Sequence, residues 1–205
     1  MHQYKGKLII HTGSMFSGKT SSLEKDVNRF NIAGYKTIAF KPSIDDRYTS
    51  SKITTHDMRS MECVLIQDIK EIMEYCNEFT PDVIAIDEVQ FLEGDTKVIV
   101  ESINHFLEKD ITVILAGLDM DFSGQAFEIV KELMPIADYL HKHHAVCVKC
   151  GTDGWVSHRK TKDKERVVIG ASKEYEPLCR KCYLVERELD EAIVNKNQVS
   201  FEDLD

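Results

Sequence analysis

Residues 12–20 read TGSMFSGKT, Thr12 to Thr20. Within this stretch Gly13, Gly18, Lys19 and Thr20 satisfy G-x-x-x-x-G-K-[ST], the pattern of a loop that holds nucleotide phosphates. The glycines let the chain bend tightly, so backbone N–H groups point at phosphate oxygens. The lysine reaches the β/γ-phosphates, and the threonine hydroxyl is suited to Mg²⁺. Upstream, KLIIH (Lys7 to His11) is a β-prone run. Downstream, Leu23, Val27 and Phe30 recur at helical spacing and Gly34 stops the pattern. A strand leading in and a helix leading out is the context a P-loop requires. The pattern says that phosphate is held, not where it goes.

Working outward, KTIAFKP (36–42) reads as a second strand closed by Pro42, and SIDDRYTSSKITTHD (43–57) as a polar loop. DIKEIMEYCNEF (68–79) places Ile69, Ile72, Met73, Cys76 and Phe79 on one helical face. PDVIAIDE (81–88) is a continuous apolar strand of the kind buried in parallel sheets. A helix over Thr96–Leu107, the strand ITVILAG (111–117) and a helix over Gln125–Leu133 follow. Strands alternating with helices predict a parallel sheet covered on both faces, with ligands at the carboxyl ends of its strands. The expected class is therefore α/β: a P-loop NTPase-type parallel sheet flanked by helices over residues 1–142. After Lys142 the chain breaks into short apolar pieces between cysteines, with SHRKTKDKER (157–166) as a charged insertion. This predicts a small second unit over 143–190, followed by an acidic, frayed tail over 191–205.

Composition narrows the function. The chain has 205 residues, 42% of them hydrophobic, which suffices for a sizeable core and excludes a disordered class. Lys and Arg number 26 against 35 Asp and Glu, a net charge of −9, which argues against a general nucleic-acid binder. MHQYKGKLII is polar before a short apolar run, unlike a signal peptide, and no run is long enough to span a bilayer. The expectation is a soluble cytoplasmic protein with neither membrane nor nucleic acid as partner.

Two further groups carry chemistry. Asp87 and Glu88 end an apolar strand downstream of the P-loop. An acid there can hold Mg²⁺, Asp87 through a metal-bound water, and the next can accept a proton as general base. Glu88 could equally orient a water in an ATP-hydrolysing motor, so the pair alone leaves kinase and hydrolase both open. Cys147-x-x-Cys150 and Cys179-x-x-Cys182 fit a four-thiolate zinc site with no open position, hence structural. Such a site clamps the base of the segment between the pairs. His141, His143 and His144 read as a solvated polar turn beside it, and Cys63 and Cys76 as buried thiols.

In order along the chain, GSMFSGKT, DDRY…THD, AIDEVQF, C-x-x-C, VIG and Y-x-x-x-C-x-x-C resemble the type II thymidine kinases from about Lys5 to Tyr183. The resemblance implies a small C-terminal zinc-ribbon/lasso domain, transfer of the γ-phosphate of ATP to the 5′-hydroxyl of thymidine (or deoxyuridine), and a role in nucleotide salvage for DNA synthesis. It implies ATP and Mg²⁺ on Gly13, Ser14, Met15, Phe16, Ser17, Gly18, Lys19, Thr20, Asp45, Arg47, Asp87 and Gln90, with Glu88 as the base. It implies a thymine pocket of Met15, Phe91, Leu118, Phe122 and Phe127. A lasso would present the backbone of Val167, Val168, Ile169 and Gly170, with Tyr175 against base and sugar. Structural Zn²⁺ would sit on Cys147, Cys150, Cys179 and Cys182, and the assembly would be a homotetramer. The chain departs from the family forms G-P-M-F-S-G-K and D-E-[AG]-Q-F-F at Ser14, Val89 and Leu92. It also carries Trp155 where a small residue is usual. The alternatives are a P-loop ATPase of recombinase or motor type acting with DNA, and a non-enzymatic zinc-ribbon module.

Overall fold

The computed structural model describes residues 5–43, 52–54, 60–161 and 173–188. Asp45, Arg47, Val167, Val168, Ile169, Gly170 and the tail over 191–205 lie outside the described residues.

Six strands form one parallel sheet: β1 (Leu8–Gly13), β2 (Thr37–Pro42), β5 (Val64–Ile66), β6 (Val83–Ile86), β7 (Thr112–Gly117) and β8 (Tyr139–His143). Their order across the sheet is β5-β2-β6-β7-β1-β8, so β7 lies between the P-loop strand and the strand that carries Asp87 and Glu88. The strand alternation sorts the core. Leu8 and Ile10, Ile84 and Ile86, and Val113 and Leu115 face one way, where α2 (Ile69–Phe79), α3 (Thr96–Glu108) and α4 (Glu128–Leu133) cover them. Ile9, Val83, Ala85, Ile114 and Ala116 face the other way, against Leu23, Val27 and Phe30 of α1 (Lys19–Ile32). Both faces are apolar because both are covered, which is why these strands read as unbroken hydrophobic runs. Full burial of a side chain such as Phe40 or Ile84 is worth roughly 1.5–3 kcal/mol.

The helix starts are locally encoded. Asp68 accepts from the N–H groups of Lys70 and Glu71 at the head of α2, and Asp95 does the same for Lys97 and Val98 at α3. The start of α1 differs. Gly18 precedes it in the left-handed region (φ 84) with no side-chain cap, leaving the first N–H groups of the helix for a ligand.

Several expectations need correction. Part of the polar stretch 43–57, β3 (Lys52–Thr54), pairs antiparallel with β4 (Ser60–Glu62), and β5 follows directly. The helix expected from Gln125 starts at Glu128, because Gln125 and Ala126 close a turn on Asp121 and Met120. His141 and His143 lie on β8, an edge strand parallel to β1, and not on a turn. The front of the supposed charged insertion, Ser157-His158-Arg159, belongs to the buried strand β11 (Val156–Arg159), paired antiparallel with β12 (Tyr175–Leu178). That ribbon, with β9 (Ala145–Val146), β10 (Asp153–Gly154) and a helix over 180–188, closes on a small core of Cys147, Val156, Leu178 and Tyr183.

Among the described residues, no helix is long and apolar enough to cross a membrane.

Candidate active site

The P-loop bridges β1 and α1 in strained but braced geometry. Phe16 is a non-glycine residue at φ 64, and the Ser14 carbonyl accepts from both Ser17 Oγ (2.7 Å) and Lys19 Nζ (2.8 Å). Gly13 approaches β8 so closely that a Cβ would lie 2.1 Å from the His143 carbonyl oxygen. Gly18 has open space where its side chain would be, as a phosphate cradle needs. Lys19 is buried, and burial lowers its pKa against the opposing pull of Glu88, Asp87 and Asp119. An anion arriving at the loop would restore the full charge of the ammonium.

The two carboxylates sit at the end of β6. Asp87 is 3% exposed and accepts from Thr20 Oγ1 at 3.1 Å, which joins the P-loop helix to the acid strand. Burial, and then the neighbouring charge of Glu88, push Asp87 up to about 7 against the pull of Lys41, Thr20 and Lys19. A hydroxyl and a buried carboxylate of this kind form a donor set suited to Mg²⁺, whose charge would hold Asp87 ionised. Glu88 is half-buried, with its backbone in the left-handed region (φ 55) at the head of a 3₁₀ turn over Val89–Phe91. Non-glycine residues persist there only where the surroundings over-determine them. Gln90 Nε2 donates to Glu88 Oε2 at 2.6 Å, and Gln90 Oε1 accepts from the Leu118 N–H at 3.0 Å. Val89 and Leu92, where the sequence departs from the family form, point into the main core.

The aromatic candidates fall into two groups. Phe127 is buried in the main core and meets Phe91 edge-on at 6.2 Å, with Leu118 partly buried against the same core. Phe122 and Tyr175 are joined by Arg159. Its guanidinium lies 3.8 Å from the centre of the Phe122 ring and donates to the Tyr175 hydroxyl at 2.8 Å. Trp155 packs instead on Tyr183 and beneath Arg180, on the ribbon core. The ribbon touches the P-loop directly, the Met15 N–H donating to Ser157 Oγ at 2.8 Å.

The four ribbon cysteines converge, their sulfurs all within 4.8 Å of one another and Cys150 Sγ 3.6 Å from Cys179 Sγ. A zinc tetrahedron with arms of about 2.3 Å has edges of about 3.8 Å, so the set fits the ion. The hydrogen bond from the Cys182 N–H draws Cys179 down to about 6, whereas bonding to Cys179 pushes Cys182 up to about 12. Bunched thiols ionise once easily and then with difficulty, a conflict that a divalent cation resolves.

Several groups here carry no signature in the sequence. Lys41 and Arg159 are the first, since only the fold sets a strand-end lysine beside Asp87 or hides an arginine under a ring. Another is the chain behind the P-loop, in which His11 bonds Asp26 of α1 at 3.1 Å and His143 of β8 at 3.0 Å. Burial, with the charges of His11 and His141, lowers His143 to about 4, while the bonds from His11 and Arg29 hold Asp26 low against burial. Below pH 6.5 the unfolded chain therefore takes up a proton at His143 that the folded chain refuses until about 4. Acidification across that window should cost stability on the order of 2 kcal/mol once solvent screening is allowed for. The depressed Asp26 adds its loss only below its ordinary value of 3.8. Urea midpoints at pH 7 and pH 5 measure this, and a His143→Gln variant should flatten the dependence; an equally steep dependence in the variant would rule it out.

The sequence profile of the family described as thymidine kinase matches residues 6–183. A thymidine kinase of Bacteroides thetaiotaomicron is 40% identical over 180 residues, covering 88% of each chain. One from Bacteroides fragilis strain YCH46 is 39% identical over 179 residues, covering 87% of each. A solved replication initiator DnaA, bound to AMPPCP and single-stranded DNA, overlays with a TM-score of 0.41 at 19% identity, covering 68% of this chain and 41% of its own.

Proposed function

The chain belongs to the thymidine kinase family and is a nucleoside kinase that phosphorylates thymidine; on that premise we propose that the γ-phosphoryl group of ATP passes to the nucleoside 5′-hydroxyl while Glu88 takes the proton. One observation carries the reading: the P-loop, Asp87 and Glu88 meet at one end of the sheet, linked by the Thr20–Asp87 hydrogen bond.

ATP lies with its phosphates over the loop of Gly13 to Thr20, held by backbone N–H groups and by Lys19. Thr20 and Asp87 would hold Mg²⁺, which when bound offsets the charge of the phosphates. Thymidine is placed against Phe91, Phe122, Leu118 and Tyr175, with Met15 toward its methyl group. Flat bases are held this way, by aromatic faces and a few fixed polar groups. Asp45 and Arg47, and the backbone of residues 167–170, complete the reading on the strength of the resemblance. Glu88, half-buried and tethered, accepts the 5′-hydroxyl proton as the oxygen attacks phosphorus. The four cysteines would hold a structural Zn²⁺ that clamps the ribbon near the P-loop. A homotetramer and a cytoplasmic setting, with deoxyuridine as a second acceptor, belong to the same reading.

ADP release separates this from the DNA-stimulated ATPase, which the family match does not favour. ADP should appear with thymidine, and neither with single-stranded DNA nor with ATP alone. Release driven by DNA and not by thymidine would overturn the proposal.

A further inference from the structure

Glu88 projects from a backbone that would not by itself hold a carboxylate still. It sits at φ 55, two residues beyond the end of β6, on a turn closed by the bond from the Phe91 N–H to its own carbonyl. The turn brings the side chain two residues on, Gln90, back over Glu88. Gln90 is itself 8% exposed and its amide is spent at both ends. Nε2 donates to Glu88 Oε2, and Oε1 accepts from Leu118 N–H, just beyond the end of β7. The orientation is forced: a backbone N–H can only donate and an ionised carboxylate only accept. The β7 end has made room for this amide. A Cβ on Gly117 would lie 2.7 Å from Gln90 Oε1 and 2.8 Å from Val89 Cγ1.

From this arrangement the structure assigns Gln90 the task of a positioning residue, a carboxamide strut that fixes Glu88 to the end of β7 for proton acceptance. The assignment rests on the reading of Glu88 as the base. It moves Gln90 from a contact of the nucleotide or its metal to a contact of the base. A methyl group at position 117 would have to displace the Gln90 amide or the Val89 side chain, and a side chain lacking either the acceptor or the donor cannot bridge the two strands.

The test is a double-mutant cycle on the full-length, zinc-loaded protein, read by steady-state kinetics with thymidine and ATP. Gln90→Met keeps the volume and loses both bonds. Gln90→Glu keeps the shape and the Leu118 bond but turns an acceptor toward Glu88. Each should lower kcat roughly 10- to 100-fold, the worth of a hydrogen bond to a charged group, and leave both KM values within about threefold. In a Glu88→Gln background, Gln90→Met should cost almost nothing further, because a residue acting only through Glu88 has nothing left to position. Equal costs in both backgrounds, a loss expressed in KM, or near-normal turnover by Gln90→Glu would each overturn the assignment of Gln90 alone. Near-normal turnover by Glu88→Gln would overturn the reading of the base, and the strut with it.

Discussion

A Glu88→Gln variant will bind Mg·ATP and thymidine as the parent does and turn over about a thousandfold more slowly, the middle of the range for a positioned general base. The substitution is nearly isosteric. A carboxamide turned to offer its oxygen still accepts from Gln90 Nε2, so the strained turn over Val89–Phe91 keeps its closure. What is lost is the basic carboxylate proposed to receive the 5′-hydroxyl proton. The hydrogen bonds on the phosphate side of the site, from Lys19 to Ser14 and from Thr20 to Asp87, involve no atom of Glu88. Nucleotide titration monitored by calorimetry, followed by a single-turnover measurement, separates the two halves. Turnover within tenfold of the parent would remove Glu88 from the proton path.

Stripping the zinc proposed for the four cysteines should have the second large effect. A structural zinc contributes an apparent 10–16 kcal/mol to the folding of the unit that binds it. The ribbon has little to put in its place, since its apolar core is Cys147, Val156, Leu178 and Tyr183. The bulk of the hydrophobic core lies around the six-stranded sheet. Chelated protein should therefore keep the sheet and bind Mg·ATP, but lose thymidine affinity. The Ser157 hydroxyl that receives the Met15 N–H, and the Arg159 bridge from Phe122 to Tyr175, both belong to the ribbon. Far-UV circular dichroism, chelator-indicated metal release and paired titrations with ATP and thymidine read this out. Unchanged thymidine binding by metal-free protein would sink the clamp.

The legible parts of the molecule were those whose partners are close in sequence. A P-loop carries its turn chemistry and its phosphate chemistry in nine consecutive residues, and the two C-x-x-C pairs announce each other by their matched spacing. What stayed hidden depends on distant partners. Tyr-Leu-His-Lys-His has no apolar alternation because β8 is an edge strand, held by backbone pairing to β1. The contact between His11 and His143 spans 132 positions. Arg159 sits in a run that looks like a solvated charge cluster, and its burial goes with partners distant in sequence, the Phe122 ring and the Tyr175 hydroxyl. Gln90 was visible as a motif letter, but its bonds to Glu88 and Leu118 come from the meeting of β6 and β7. In each case local pattern competes with a tertiary contact, and the contact wins.

The order of the sheet also has a consequence for biosynthesis. Within the sheet β1 leaves the ribosome before the other five strands, yet its two neighbours are β7 and β8, near residues 112 and 143. At about 5–20 residues per second, a nascent β1 waits on the order of ten seconds for either partner. Until then Leu8, Ile9 and Ile10 present an apolar segment with both edges unpaired, the kind that invites pairing with other chains. The phosphate-binding loop is thus translated before the strands that flank it and acquires its shape only after them. Nascent-chain ATP binding should begin only after β8 has emerged.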